Sequence, residues 1–307
     1  MEGRLIRIEK TNVASEPRAL DRNVQVGIGL MVVATVFFSF QDGVTKTLID
    51  HYPIWQLVFI RFCVLLVSVT LVSCFFVRGP VKMIQSNQVQ LHLLRGVVLI
   101  SEITLLGISF RYLELAEAMT IFHLFPVIGV ALAFVFLKEQ IAASTIFALF
   151  AGVSGLVIAS IPFGSINLIG LLCALGAAVS YAAYIVLTRF TANDDGPLTS
   201  IFYVCLVGFT LPMVFASHRF VAIEAEHIWL FFLLCLFNII AQSAVIFALS
   251  YSRASLLQPI NYLQIVWAVL VGFFVFTEVP SANLILGSVL IVGAGLMLIA
   301  ANRKRET

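Results

Sequence analysis

Ten stretches of nearly unbroken apolar residues, each 20 to 25 long, alternate with short polar connections along the chain. They lie at 24–48, 54–77, 90–111, 115–137, 141–161, 166–188, 198–217, 228–250, 255–276 and 282–301. A run of roughly 18 or more apolar residues crosses a ~30 Å hydrocarbon core as a helix. No water reaches the backbone there, so each crossing segment must close its own hydrogen bonds. The pattern therefore predicts an all-α integral membrane protein with ten transmembrane helices. Pro53, Pro80, Pro162, Pro197 and Pro280 fall at or beside the turns. No connection exceeds twelve residues, so none can house a nucleotide-binding domain.

The two halves echo each other at an almost constant offset. Gly29-Leu30 and Ser39-Phe40 return as Gly170-Leu171 and Ser180-Tyr181, 141 residues on. FVFLKE, from Phe134 to Glu139, returns as FFVFTE from Phe273 to Glu278, 139 on. Five spans per half is an odd number, so the second half must run through the membrane in the opposite sense to the first. The expected organisation is a tail at 1–23, a first five-helix repeat at 24–161, a second at 166–301 and a tail at 302–307. Inverted repeats place a substrate site near the midplane between them, which rocking of one half exposes to each side in turn.

Composition agrees: 61% of the 307 residues are hydrophobic and 11% charged, against about 45–50% and about 25% in soluble proteins. The net charge of +2 gives no footprint for nucleic acid. The distribution of Lys and Arg matters more. With a cytoplasmic N-terminus, thirteen of them, including Arg78, Lys82, Lys138, Arg189 and Arg253, fall in inner segments, and only Arg111 and Arg219 in outer ones. The positive-inside rule then puts both termini in the cytoplasm. There is no GxxxxGK[ST], HExxH or GxSxG, and the five cysteines form no CxxC. No metal, cofactor or catalytic residue is expected. A membrane-embedded enzyme and a non-transporting accessory protein are the alternative readings to a carrier.

Several motifs carry a family resemblance. The boundary FRYLELAEAMTIFHLFPV (Phe110 to Val127), the L-x-E-type ends Leu137-Lys138-Glu139 and Phe276-Thr277-Glu278, and the glycine-rich fifth and tenth spans resemble the EamA branch of the drug/metabolite transporter superfamily. SFQDGVTKTL (Ser39 to Leu48), PIWQLVFIRF (Pro53 to Phe62), HLLRG (His92 to Gly96) and PINYLQIVWAVLVGFFVFTEVP (Pro259 to Pro280) are similar to a subgroup of S-adenosylmethionine or riboflavin uptake carriers. Asn261 and Gln264 stand where many of those carriers have Arg and Glu, which implies a less charged pocket. The resemblance implies a multi-pass protein of the bacterial inner membrane with a small-molecule substrate, and leaves proton or counter-substrate coupling and a homodimer contact open.

The chemistry is sought where charge lies inside a span, since each such charge costs at least ~2.5–3.5 kcal/mol on insertion scales. Asp42 and Lys46, four apart on one helix face, lie at a depth similar to that of Arg61. The three form either a substrate-binding or gating cluster, or a structural ion pair locking the first hairpin. Glu102, close to the midplane of the third span, is a cation or proton site or a protonated hydrogen-bond donor. His123 either titrates or is a core histidine bonded to a carbonyl. Asn238 and Gln242 on the eighth span, with Asn261 and Gln264 on the ninth, have the spacing of a polar cavity wall. Tyr181, Tyr184, Tyr262 and Trp267 supply either an aromatic wall or interhelical packing. Together they suit a flat, polar, neutral or cationic ligand of nucleoside, flavin or amino-acid type, with S-adenosylmethionine as the specific case.

Overall fold

Hydrogen bonding inside each segment dictates helices, and the computed structural model, which describes residues 17–76, 86, 88–137, 143–159, 167–191, 197–216, 220–252 and 257–306, has no strand among those residues. The helices are α1 (Pro17–Ile49), α2 (Ile54–Phe76), α3 (Val89–Ser109), α4 (Leu115–Phe122), α5 (Phe125–Leu137), α6 (Ala143–Ala159), α7 (Leu168–Thr191), α8 (Pro197–Ala216), α9 (Ile228–Tyr251), α10 (Leu263–Phe276) and α11 (Ala282–Glu306). Short 3-10 turns occupy Ala225–His227 and Gln258–Tyr262. Five segments have the length and composition to cross a membrane alone: Val24–Ile49, Ile54–Leu71, Val89–Ser109, Leu168–Thr188 and Ala225–Tyr251. Five shorter apolar segments complete the ten spans. Helix α1 begins at Pro17, seven residues inside the stretch expected as tail, and α11 continues through Glu306. Residues 1–16 lie outside the described residues.

Burial is arranged for lipid outside and polarity inside. Phe150, Phe274 and Leu168 are 70%, 75% and 65% exposed, while Arg61, Arg95, Glu102, His92 and His123 are buried. The packing has a pseudo-twofold pattern. The first span lies on the eighth as the sixth lies on the third, and the first on the ninth as the sixth on the fourth. Three pairs, second with seventh, fourth with ninth and fifth with tenth, are their own counterparts. The last of these is a backbone contact. A Cβ on Gly287 would sit 2.5 Å from the Gly155 carbonyl oxygen, so α6 and α11 approach closely only because both residues are glycine.

The fourth span is not the continuous helix its hydropathy predicts. It stops at Phe122 and resumes at Phe125, because Pro126 has no N–H and its ring would strike the carbonyl of Phe122 in an unbroken helix. The ninth span is irregular too, its 3-10 turn carrying Pro259 in the first positions and passing into α10 after Tyr262. His123 and Tyr262, at the two breaks, are 139 residues apart. That is the offset relating FVFLKE to FFVFTE.

Candidate functional site

The two breaks meet. The rings of His123 and Tyr262 lie 5.8 Å apart. His123 Nδ1 is 2.7 Å from the Met119 carbonyl oxygen in its own helix, and Nε2 is 3.1 Å from that of Asn261 in the ninth span. The fully buried ring thus ties the interrupted fourth span to its counterpart, with Gln264 as a further side-chain partner. The polar stripe of α1 seals the other side of the ninth span. Trp267 Nε1 donates to Thr35 Oγ1 at 3.2 Å, and Ser39 Oγ to the Gln264 carbonyl at 3.4 Å. Trp267 thus makes an interhelical hydrogen bond with α1. Tyr262 is buried, its hydroxyl without a hydrogen-bond partner among the described residues.

Lys46 belongs to a different cluster from the one its spacing suggested. It lies one turn beyond Asp42, yet its Nζ is 2.6 Å from Glu278 Oε1, just past the end of α10, and 2.8 Å from the Leu113 carbonyl oxygen. The other carboxylate oxygen of Glu278 accepts the N–H of Leu115 at 2.9 Å, at the start of α4. One acidic side chain therefore joins the ends of the first, fourth and ninth spans, which the charge bias assigns to the outer side. Two features aim it there. Thr277 adopts the left-handed region at φ 57, a conformation uncommon for a β-branched residue, and the Glu278 N–H closes a bond of 3.0 Å to the Gly272 carbonyl. At Gly272 a Cβ would lie 2.7 Å from Glu278 Oε2, so a side chain there would displace the carboxylate from its present position over α10. Glu114 and Glu117 complete the cluster as the capping box of α4. Burial pushes the Glu114 carboxyl above its ordinary range, Glu117 and Glu278 add to that, and Lys46 opposes it. Sequence reading quoted Glu278 as a motif residue and missed it as the partner of Lys46. The signal available was that the two share one end of the membrane in the topology.

Asp42, Arg61 and Glu102 converge from α1, α2 and α3. Arg61 and Glu102 are 8% and 6% exposed, and Arg61 lies in the electrostatic field of Glu102, Asp42 and the Cys235 thiol of α9. No direct ion pair joins the three among the described residues, and Arg61 Nε has no hydrogen-bond partner. Tyr181 and Tyr184 on α7 stack with centroids 5.9 Å apart, and both lie in the field of Glu102. Asn238, one turn beyond Cys235, is buried with Nδ2 unpartnered. Gln242 is half-buried on the same helix. The sequence-derived residues thus divide into a charged centre with an aromatic flank, a strut at the helix breaks and, at Lys46, an end contact. A cavity of about 730 Å³ lined by Asp50, Tyr52, Trp55, Arg111 and Phe215, among others, opens elsewhere and includes none of these residues.

Comparison with known proteins fits this architecture. The model of the EamA-like transporter family matches residues 25–161 and again residues 168–300. The chain belongs to the EamA-like transporter family. It is 23% identical over 278 residues to an S-adenosylmethionine uptake transporter of Rickettsia felis, covering 91% of this chain and 94% of that one. It is 24% identical over 272 residues to a riboflavin transporter of Brucella anthropi, covering 87% and 92%. A pseudopaline exporter of Pseudomonas aeruginosa is 24% identical over 275 residues, covering 89% and 95%. A crystal structure with 17% identity superposes with a TM-score of 0.64 over 94% of this chain and 99% of its own, which shows a shared fold. This EamA-family protein is therefore a multi-pass membrane transporter of small molecules built from two repeats.

Proposed function

We propose that this protein is a secondary carrier that moves a small organic metabolite by alternating access, with its binding site between the two repeats. The observation carrying this reading is the meeting of two interrupted spans at equivalent positions, His123 in the fourth and Tyr262 in the ninth. Interrupted helices at the repeat interface are where secondary carriers expose backbone and polar groups to substrate. The charged centre of Asp42, Arg61 and Glu102, the stacked Tyr181 and Tyr184, and Asn238 supply the binding surface. The Lys46–Glu278–Leu115 contact supplies the closure at one end, because a carrier must seal one side while the other opens. Ligand types consistent with this surface are those named for the relatives, S-adenosylmethionine first. Reconstituted proteoliposomes test the reading: saturable exchange of labelled S-adenosylmethionine or riboflavin is expected. Conversion of either compound without flux would instead identify an enzyme.

A further inference from the structure

The charged centre has a feature that stability alone does not explain. Opposite charges in a low-dielectric interior gain several kcal/mol by closing to contact, and an unpaired buried charge is strongly destabilising. Among the described residues, two other cations within the spans are held by oxygen acceptors at short range. Lys46 holds Glu278 at 2.6 Å, and Arg95 donates to the Ser200 carbonyl at 2.7 Å and lies over the Tyr184 ring. Arg61 differs. Its guanidinium lies over the Phe62 ring, but it is 8% exposed, Nε has no hydrogen-bond partner among the described residues, and its two acidic neighbours on α1 and α3 form no ion pair with it. A planar guanidinium is suited to bidentate contact with a carboxylate, and here neither protein carboxylate takes that place. The formal balance of the three groups is two negative charges against one positive. A complementary ligand offers one carboxylate to Arg61 and two positive centres to Asp42 and Glu102, beside which Tyr181 and Tyr184 form an aromatic flank.

We propose that Arg61 is the specificity-determining anchor for the carboxylate of a net-cationic amino-acid ligand, and that Asp42 and Glu102 receive its positive centres. S-adenosylmethionine, with a carboxylate, an ammonium and a sulfonium, has this charge pattern; riboflavin does not. The assignment rests on the carrier reading and divides the substrates named for the relatives. It also gives Asp42 and Arg61 a role in recognition instead of a mutual ion pair.

The test is competition for labelled S-adenosylmethionine on the full-length purified protein, followed by exchange in proteoliposomes. On wild type, decarboxylated S-adenosylmethionine, which keeps both cations and loses the carboxylate, should compete at least about tenfold more weakly than the parent, the scale of a charge-assisted hydrogen bond. S-adenosylhomocysteine, which keeps the carboxylate and loses the sulfonium charge, should also compete more weakly. Arg61→Gln should bring the ratio between parent and decarboxylated compound towards one, with Arg61→Lys intermediate. A change in folding alone would not move that ratio, and the wild-type comparison stands even where a variant fails to fold. Equal competition by both compounds on wild type, or exchange of labelled riboflavin with no competition by S-adenosylmethionine, overturns the assignment and leaves the carrier reading intact. Absence of saturable exchange for either labelled compound overturns both.

Discussion

His123 and Glu278 each connect spans that are distant in sequence. The imidazole lies between the carbonyl oxygens of Met119 and Asn261, so His123→Phe keeps an aromatic ring, a slightly larger one, and removes the polar link between the fourth and ninth spans. The expected loss is about 1–3 kcal/mol, read as a lowered midpoint of thermal unfolding in detergent; an unchanged midpoint would remove the strut. Gly272→Ala tests the seat of Glu278 without changing any charge. Its new methyl group would meet Oε2 at 2.7 Å, so its flux should fall in parallel with that of Glu278→Gln, and wild-type flux in Gly272→Ala would contradict the geometry described. At this scale the sequence was only partly legible. Insertion cost singled out Asp42, Lys46, Arg61 and Glu102, and the capacity to titrate singled out His123. The pairing of Lys46 was not readable, because helical spacing shows which residues share a face and not which helix covers it. Glu278 lies 232 positions from Lys46, and only packing of the two repeats brings them together.

Among the elements, span positions were legible to within a few residues where one hydrophobic helix crosses alone. The second span was expected at 54–77 and runs Ile54–Phe76, and the eighth, expected at 228–250, runs Ile228–Tyr251. The break in the fourth span was not read, since Phe125 to Leu137 is as apolar as any helix in the chain and hydropathy is blind to one missing donor at Pro126. That break has a consequence for function. Pro126→Ala restores the N–H and removes the clash, which is worth about 3 kcal/mol where a proline would otherwise sit inside a helix. The variant should fold at least as well as wild type and carry substrate several-fold more slowly, because a continuous fourth span withdraws backbone groups from the centre. Reduced folding together with undiminished turnover per folded molecule would show the break to be structural only.

For the whole molecule, the constant sequence offset, the two matches of the family model and the pseudo-twofold packing all describe one architecture seen at different levels. The proposed orientation, with both termini in the cytoplasm, rests on the thirteen-to-two division of basic residues between inner and outer segments. Cysteine accessibility checks it in a background lacking the native cysteines. A thiol replacing exposed Glu226 should react with an impermeant reagent from outside, and one replacing exposed Gln90 only from inside; the opposite pattern would invert the topology. In this architecture Lys46, Glu278 and the start of α4 join the first, fourth and ninth spans, and the alternating access proposed here requires that contact to open in every cycle. The most direct measurement is the residual exchange of the double variant Lys46→Cys/Glu278→Cys, cysteine-free elsewhere and slowed as Glu278→Gln is, before and after joining the two thiols with a short bifunctional reagent that is cleaved by reduction. Arrest on cross-linking and recovery on reduction are the predicted results. Saturable exchange at the uncrosslinked rate, with cross-linking shown to be complete, would contradict alternating access through this contact.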